Sequence, residues 1–458
     1  MIIADMLQGR VLGTLFGLFF LFSYPALAID AARLQAIFLQ HRLNLQELGV
    51  IIEDENGQLF ALNEGKKLKP ASLTKILTAG AALEYLGPAF EFKTQMMTAA
   101  PVENHHLKGS LYLKASGDPG FGKEKLYAFL GALQQRKITQ IDGDIIIDDS
   151  GYSDIHTRDG KSWQNSGNDG NYPLFVNVDP PANIVPQSRQ WRRAESRLRR
   201  LINSNNRYVV YQNMTQPDLW TGHHFRSLIQ KSGIRVRGKV IRGNTPQEAE
   251  VLATVSNPLT KVIHDMLKAS NNFYADMMIR NLAAEAGEKP ATVQSGMEFI
   301  YVFLDHVGIE RNEYFLNCGA GFTHINFISA GALGKILSHL RSEESISSTF
   351  LESLPVAGID GTLKTRMRRT AAQGRVHAKT GYLGRVITKF RRLDGVVAIG
   401  GFADTLNGKV MTFVFLYNGT LPPSIVRATF DKILVELVQE PIRALTSAPA
   451  TAEVLPTN

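Results

Sequence analysis

Two stretches of this chain carry a clear strand pattern, one near each end. Apolar-rich runs at residues 48–53 and 58–63 flank Asn56-Gly57. That pair predicts a β-hairpin closed by a type I′ turn. A second hairpin is predicted by residues 396–402 and 410–416 around Asn407-Gly408, with a further strand at 376–379 just before it. Beyond Pro70-Ala71 a longer apolar run reads as a buried helix that begins near Ser72. Leu259, Val262, Met266 and Leu267 recur at helical spacing, so residues 259–286 read as helix, and residues 423–440 read as a closing helix. The predicted class is α/β (α+β): an antiparallel sheet built from both ends of the chain and flanked by helices.

The middle of the chain differs. Across residues 93–250, short apolar runs such as 111–114 and 144–148 are separated by turns rich in Gly, Asp, Asn and Pro, as in Gly117-Asp118-Pro119-Gly120. This predicts a β-rich insert that interrupts one domain formed by residues 29–92 and 251–440. The Ala-, Pro- and Thr-rich tail, 441–458, is predicted to be disordered.

The N-terminus adds a location. Residues 11–22 are apolar, too few for a comfortable membrane span, and Ala26-Leu27-Ala28 follows. Residues 1–28 therefore read as a signal peptide cleaved near Ala28-Ile29. Cys318 is the only cysteine, so no intramolecular disulfide can form and the exported chain must rely on its core. At 44% hydrophobic and 20% charged, the composition is that of a soluble globular protein. The net charge is +8, with basic clusters at Arg189, Arg192, Arg193, Arg197, Arg199 and Arg200, and at Lys364, Arg366, Arg368 and Arg369. For an exported protein the natural polyanions are lipid headgroups or cell-wall polymers. No aromatic residues interleave these clusters to stack on bases, so nucleic acid is not expected as a partner. His105-His106 and His223-His224 are adjacent pairs in predicted loops. Neighbouring residues do not converge on one ion, so no metal is expected there. No phosphate loop or dinucleotide fingerprint occurs, and no cofactor is expected.

The candidate chemistry begins at Ser72-Leu73-Thr74-Lys75. A serine at a helix start, with an amine one turn on, is a nucleophile beside its base. Alone, Ser-x-x-Lys is more often an ordinary helix start, with Ser as the cap and Lys in solvent. Two further motifs follow in order: Ser270-Asn271-Asn272 at a break between helical segments, and Lys379-Thr380-Gly381 at a strand end. Together the three match the signature shared by serine β-lactamases and penicillin-binding proteins. In that chemistry Ser72 attacks a carbonyl and Lys75, neutral through burial and the nearby Lys379, takes its proton. Ser270 relays the proton and Asn272 orients Lys75 and the substrate amide. Lys379 and Thr380 hold an anionic group, and the N–H groups of Ser72 and Tyr382, beside Gly381, form an oxyanion hole.

Neighbouring words narrow the family. Residues 354–363, Ser270-Asn271-Asn272-Phe273-Tyr274-Ala275, and Asp142-Gly143-Asp144 with Asp148-Asp149-Ser150 resemble penicillin-binding protein 4-type (class C, low-molecular-mass) D-alanyl-D-alanine carboxypeptidases and endopeptidases, over about residues 30–440. The long gap between the first two motifs suits a family that carries extra domains there, and a compact β-lactamase would lack it. The resemblance implies a periplasmic serine D,D-peptidase. It would remove the terminal D-alanine of peptidoglycan stem peptides, cut D-alanyl-diaminopimelate cross-links, and be acylated by β-lactam antibiotics. Peripheral contact with an anionic membrane or cell-wall polymer would suit its charge.

The sequence departs from that family at two places. Tyr382 stands where Thr or Ser is usual, with the basic stretch 385–394 beyond it, and Arg385 is the candidate to replace that small side chain's hydroxyl. Cys318-Gly319-Ala320-Gly321-Phe322-Thr323 stands where Asp-Gly-Ser-Gly-Leu-Ser is usual. Two other readings stay open. Glu313-Tyr314-Phe315-Leu316-Asn317 fits the deacylating glutamate motif of class A β-lactamases, and Tyr382 leaves room for a non-catalytic murein-binding scaffold.

Overall fold

The computed structural model describes residues 31–152, 217–387 and 392–439. Its central sheet has five strands in the order Val376–Leu383, Gly395–Asp404, Val410–Gly419, Leu48–Asp54, Gly57–Leu62. Every pairing is antiparallel. Leu48 faces Tyr417 and Glu53 faces Thr412, which joins the two ends of the chain. Both predicted hairpins are present, but the first turn is not type I′. Its loop is Glu55-Asn56, and of the two residues in the Asn-Gly pair only Gly57 has a positive φ, +117°. The Asp54 carboxylate accepts the Asn56 N–H at 2.8 Å, and this Asx-type contact fixes the turn instead.

Strands Gly395–Asp404 and Val410–Gly419 are buried along nearly their whole length, so the sheet has a core on each face. Alternate residues sort between them. Val50, Ile52, Phe413 and Phe415 pack toward the helices Ala31–Gln40 and Pro423–Gln439, where Phe38 and Phe430 are fully buried. Ile51, Val414 and Leu416 face the other core, built on the helices Thr74–Leu86, Leu259–Ala269, Asn272–Glu285, Val293–His306 and Ala330–Ser342. Each such large side chain contributes about 1.5–3 kcal/mol on burial. The helix that follows Ser72 is therefore wedged between sheet and helices, and its apolar character on all sides is explained.

The insert enters through strand Glu91–Thr98 and leaves through Glu250–Pro258, which pair antiparallel with Glu91 opposite Pro258. It is more than β-rich. Helices Lys123–Gln135 and Pro217–Lys231 pack on its five-stranded sheet, with Phe129 and Phe225 rings 6.2 Å apart. Leu111–Lys114, Ile145–Asp148 and Val240–Arg242 run parallel to one another. Leu126, Phe129, Leu130 and Leu133 already have helical spacing, masked in the sequence by turn-rich flanks. His223 and His224 lie in the second of these helices and not in a loop.

The insert is tied to the helical core. Tyr152 donates to Asn281 Oδ1 at 2.9 Å, and Asn281 Nδ2 donates to the Gly117 carbonyl at 3.0 Å. The predicted leader, the Arg189–Arg200 cluster and the predicted disordered tail lie outside the described residues. Among the described residues no helix is long and apolar enough to cross a membrane.

Candidate active site

Ser72 sits in a single 3₁₀ turn, Ala71–Leu73, that runs straight into helix Thr74–Leu86. Ala71 has φ +50°, a left-handed conformation that costs a non-glycine residue about 1–2 kcal/mol. The surroundings hold it there. Thr74 Oγ1 donates to the Ala71 carbonyl at 2.9 Å, and Gly321 lies on that same carbonyl. A Cβ on Gly321 would come within 2.0 Å of it, and Gly321 itself has φ +67°. Only glycine fits this contact.

The glycine-rich loop around residue 320 thus docks on the Ser72 turn and completes the surroundings of Lys75. Lys75 Nζ is fully buried and contacts Ser72 Oγ at 3.0 Å, Asn272 Oδ1 at 2.7 Å and the Ala320 carbonyl at 2.6 Å. Burial lowers its pKa to about 7, and the negative charge of Asp276 opposes that shift.

Ser270 and Asn272 owe their positions to the helix break. Ser270 is left-handed, φ +56°, and ends helix Leu259–Ala269. Asn271 caps the next helix by accepting the N–H groups of Phe273 and Tyr274. Asn272 is the first residue of that helix and reaches Lys75.

The third motif arrives on an edge strand of the sheet. Lys379 is fully buried and donates to Ser270 Oγ and to the Thr380 carbonyl, both at 2.7 Å. Burial, reinforced by the charge of Lys75, holds its pKa well below the usual lysine value. Gly381 lets the strand lie on the Ser72 turn, since a Cβ there would come within 2.6 Å of the Pro70 carbonyl.

At residues 376–378 the strand edge is covered by residues 355–357, through Ala378 N–H to Pro355 and Ala357 N–H to Val376, both 2.9 Å. Further along, Thr380, Gly381 and Tyr382 line an open cavity of about 590 Å³ that also contains Ser72 and Ser270. The structure thus brings Ser72, Lys75, Ser270, Asn272, Lys379, Thr380, Gly381 and Tyr382 around one cleft.

Set beside known proteins, the chain matches the D-Ala-D-Ala carboxypeptidase 3 (S13) family over residues 30–176 and 200–437. The chain belongs to that family. It is 26% identical to a D-alanyl-D-alanine carboxypeptidase, DacB, of Haemophilus influenzae, over 81% of this chain and 83% of that one. It is also 26% identical to a D-alanyl-D-alanine carboxypeptidase of an Actinomadura species, over 85% and 80% of the two chains. The crystal structure of penicillin binding protein 4 from Haemophilus influenzae superposes with a TM-score of 0.71 at 23% identity, covering 89% of this chain and 99% of that one, which shows a shared fold. This S13 chain is a serine D,D-peptidase.

Several residues in or beside the cleft carry no sequence signal or a misleading one. Arg385, the candidate to replace the missing hydroxyl, is exposed and is not on the cavity wall. Two other arginines are: Arg366, held on the Asp431 carboxylate with Nε at 3.0 Å, and Arg427 from the closing helix. The Arg427 guanidinium lies 4.9 Å from the centre of the Tyr382 ring. Asn326 braces the glycine-rich loop by donating to the Cys318 carbonyl at 2.8 Å and accepting the Asn317 N–H at 2.9 Å.

Asp276 lies one turn beyond Asn272, and burial raises its pKa to about 6 against the pull of Arg280 and Lys75. An acid at i and a base at i+4 within the apolar stretch 273–283 was the one available sign of it. Glu313, the residue that favoured a β-lactamase, is not on the cavity wall. It ends a short 3₁₀ turn, where it accepts from Ser329 Oγ at 3.2 Å and from the Glu310 N–H at 3.2 Å.

Proposed function

We propose that Ser72 Oγ attacks the carbonyl of the penultimate D-alanine of a peptidoglycan stem peptide, forming an acyl-enzyme and releasing the terminal D-alanine. The observation that carries this is the set of three partners around Lys75. In its neutral form the amine has two N–H groups and one lone pair. Asn272 Oδ1 and the Ala320 carbonyl take the two N–H groups, which turns the lone pair to Ser72 Oγ at 3.0 Å. Lys75 then accepts the Ser72 proton as the Oγ–C bond forms.

The N–H groups of Ser72 and Tyr382 receive the oxyanion. When the C–N bond breaks, the proton returns through Lys75 and Ser270 to the leaving amine. Water repeats the cycle on the acyl-enzyme and frees Ser72. An extended peptide lies along the strand edge at Thr380–Tyr382, where residues 355–357 no longer cover it.

Arg427, seated on the Tyr382 ring, takes the substrate carboxylate in place of the usual Thr or Ser hydroxyl, with Thr380 beside it on the cavity wall. The same site would cut D-alanyl-diaminopimelate cross-links, and penicillins would acylate Ser72. The leader-like N-terminus supports export to the periplasm. The exposed Lys364, Arg368 and Arg369 support peripheral contact with an anionic surface.

Fluorescent penicillin and a pentapeptide test this reading. The wild-type protein is expected to take the label on Ser72 and release D-alanine, and Ser72→Ala is expected to do neither. A wild-type protein that takes no label overturns it.

A further inference from the structure

Away from the cleft, three helices end around one group of side chains. Glu84 lies in the last turn of the nucleophile helix Thr74–Leu86. His306 is the last residue of Val293–His306, and His339 lies in the last turn of Ala330–Ser342. Glu84 Oε2 is 3.0 Å from His306 Nδ1, and Glu84 Oε1 is 2.5 Å from His339 Nε2. The two imidazole rings are 5.5 Å apart and nearly perpendicular. One donor atom from each residue falls within 4.8 Å of the other two, the only such three-residue group among the described residues.

From this convergence we propose that Glu84, His306 and His339 form a binding site for one zinc-like divalent transition-metal ion. Two imidazole nitrogens and one carboxylate oxygen suit zinc, cobalt or nickel, whereas calcium and magnesium require mostly oxygen donors. Bonds of about 2.0–2.2 Å in a tetrahedron place donor atoms about 3.4 Å apart, so small side-chain adjustments would admit the ion. The field at the site favours a cation for a second reason. Three helix C-terminal ends, each bearing partial negative charge, meet beside a carboxylate that is itself badly placed at a helix C-terminus.

The His339 ring is held edge-to-face against Phe303, 6.1 Å between centres, which orients it in advance. Its side chain and that of Glu84 are only about one-fifth exposed, at 21% and 20%, whereas His306 is 65% exposed, so the fourth position opens to water. Glu84 is roughly 14 Å along the helix from Lys75. The ion would therefore clamp the far end of the nucleophile helix to its two neighbours and take no part in the acylation itself.

The test uses the full mature protein stripped with EDTA. Titration with Co²⁺ is expected to give the intense d–d absorption of a tetrahedral site, saturating at one equivalent. Titration with Zn²⁺ is expected to displace the cobalt and raise the melting temperature. His306→Ala, at an exposed position that should not disturb folding, and Glu84→Gln are each expected to weaken binding at least about tenfold while penicillin acylation is unchanged. The proposal is overturned if no stoichiometric cobalt spectrum develops, or if both variants bind as the wild type does.

Discussion

The proposed acylation turns on one buried amine, Lys75, whose pKa burial lowers to about 7. Lys75 must be neutral to accept the Ser72 proton, and a base gains its neutral form as the pH rises through its pKa. The rate of acylation by penicillin should therefore climb from acid to neutral pH with a midpoint near 7, read by fluorescent labelling over a pH series. A flat profile would exclude Lys75 as the base. Asp276 is ionised at that midpoint and supports the ammonium form, so Asp276→Asn should move the limb to lower pH.

The Arg427 prediction also belongs at this scale. The residue lines the cavity and contacts the Tyr382 ring, and no ion pair or hydrogen bond holds its guanidinium among the described residues. Arg427→Ala should raise KM for peptides with a free C-terminal carboxylate by about tenfold or more, with a smaller change in kcat. A substitution that leaves KM untouched would assign that carboxylate to another group. The motif residues were legible in the sequence because each motif is local. Arg427 was not, because the closing helix comes beside Tyr382 only in the folded sheet.

At the scale of elements, the cleft is a junction of four pieces: the Ser72 turn, the helix break at Ser270, the edge strand and the glycine-rich loop. The sequence marked the first three by Pro70, by a polar break in helical spacing and by a strand pattern. It marked the loop only as a departure from a family pattern. The reason is physical. The loop acts through the carbonyls of Gly319 and Ala320, which bond Thr78 and Lys75, and a backbone carbonyl has no sequence signature. Its side-chain requirement is steric. Gly321→Ala would force a Cβ into the Ala71 carbonyl at φ +67°, so it should destabilise the protein by about 1–3 kcal/mol and slow acylation. Denaturant melts and labelling rates measured on the same preparation test this. Unchanged values in both would mean that the loop can move off the turn at little cost.

At the scale of the molecule, an inserted α/β unit is joined to the helical core through Asn281, which is fully buried and bonds Tyr152, the Gly117 carbonyl and the Met277 carbonyl. Asn281→Ala leaves buried polar groups without partners, at about 1–3 kcal/mol for each group orphaned. It should lower the melting temperature measurably, and calorimetry showing wild-type unfolding would remove Asn281 from that joint. Local sequence by itself determined the two hairpins, the helix after Ser72, the closing helix and the three motifs in order, because periodicity, turn chemistry and motif spacing are properties of nearby residues. Only the tertiary structure decided which groups surround Lys75, which arginine stands beside Tyr382, that Glu313 is a structural cap, and that Glu84, His306 and His339 meet. Those depend on packing between segments far apart in the chain, and no local pattern encodes such distances.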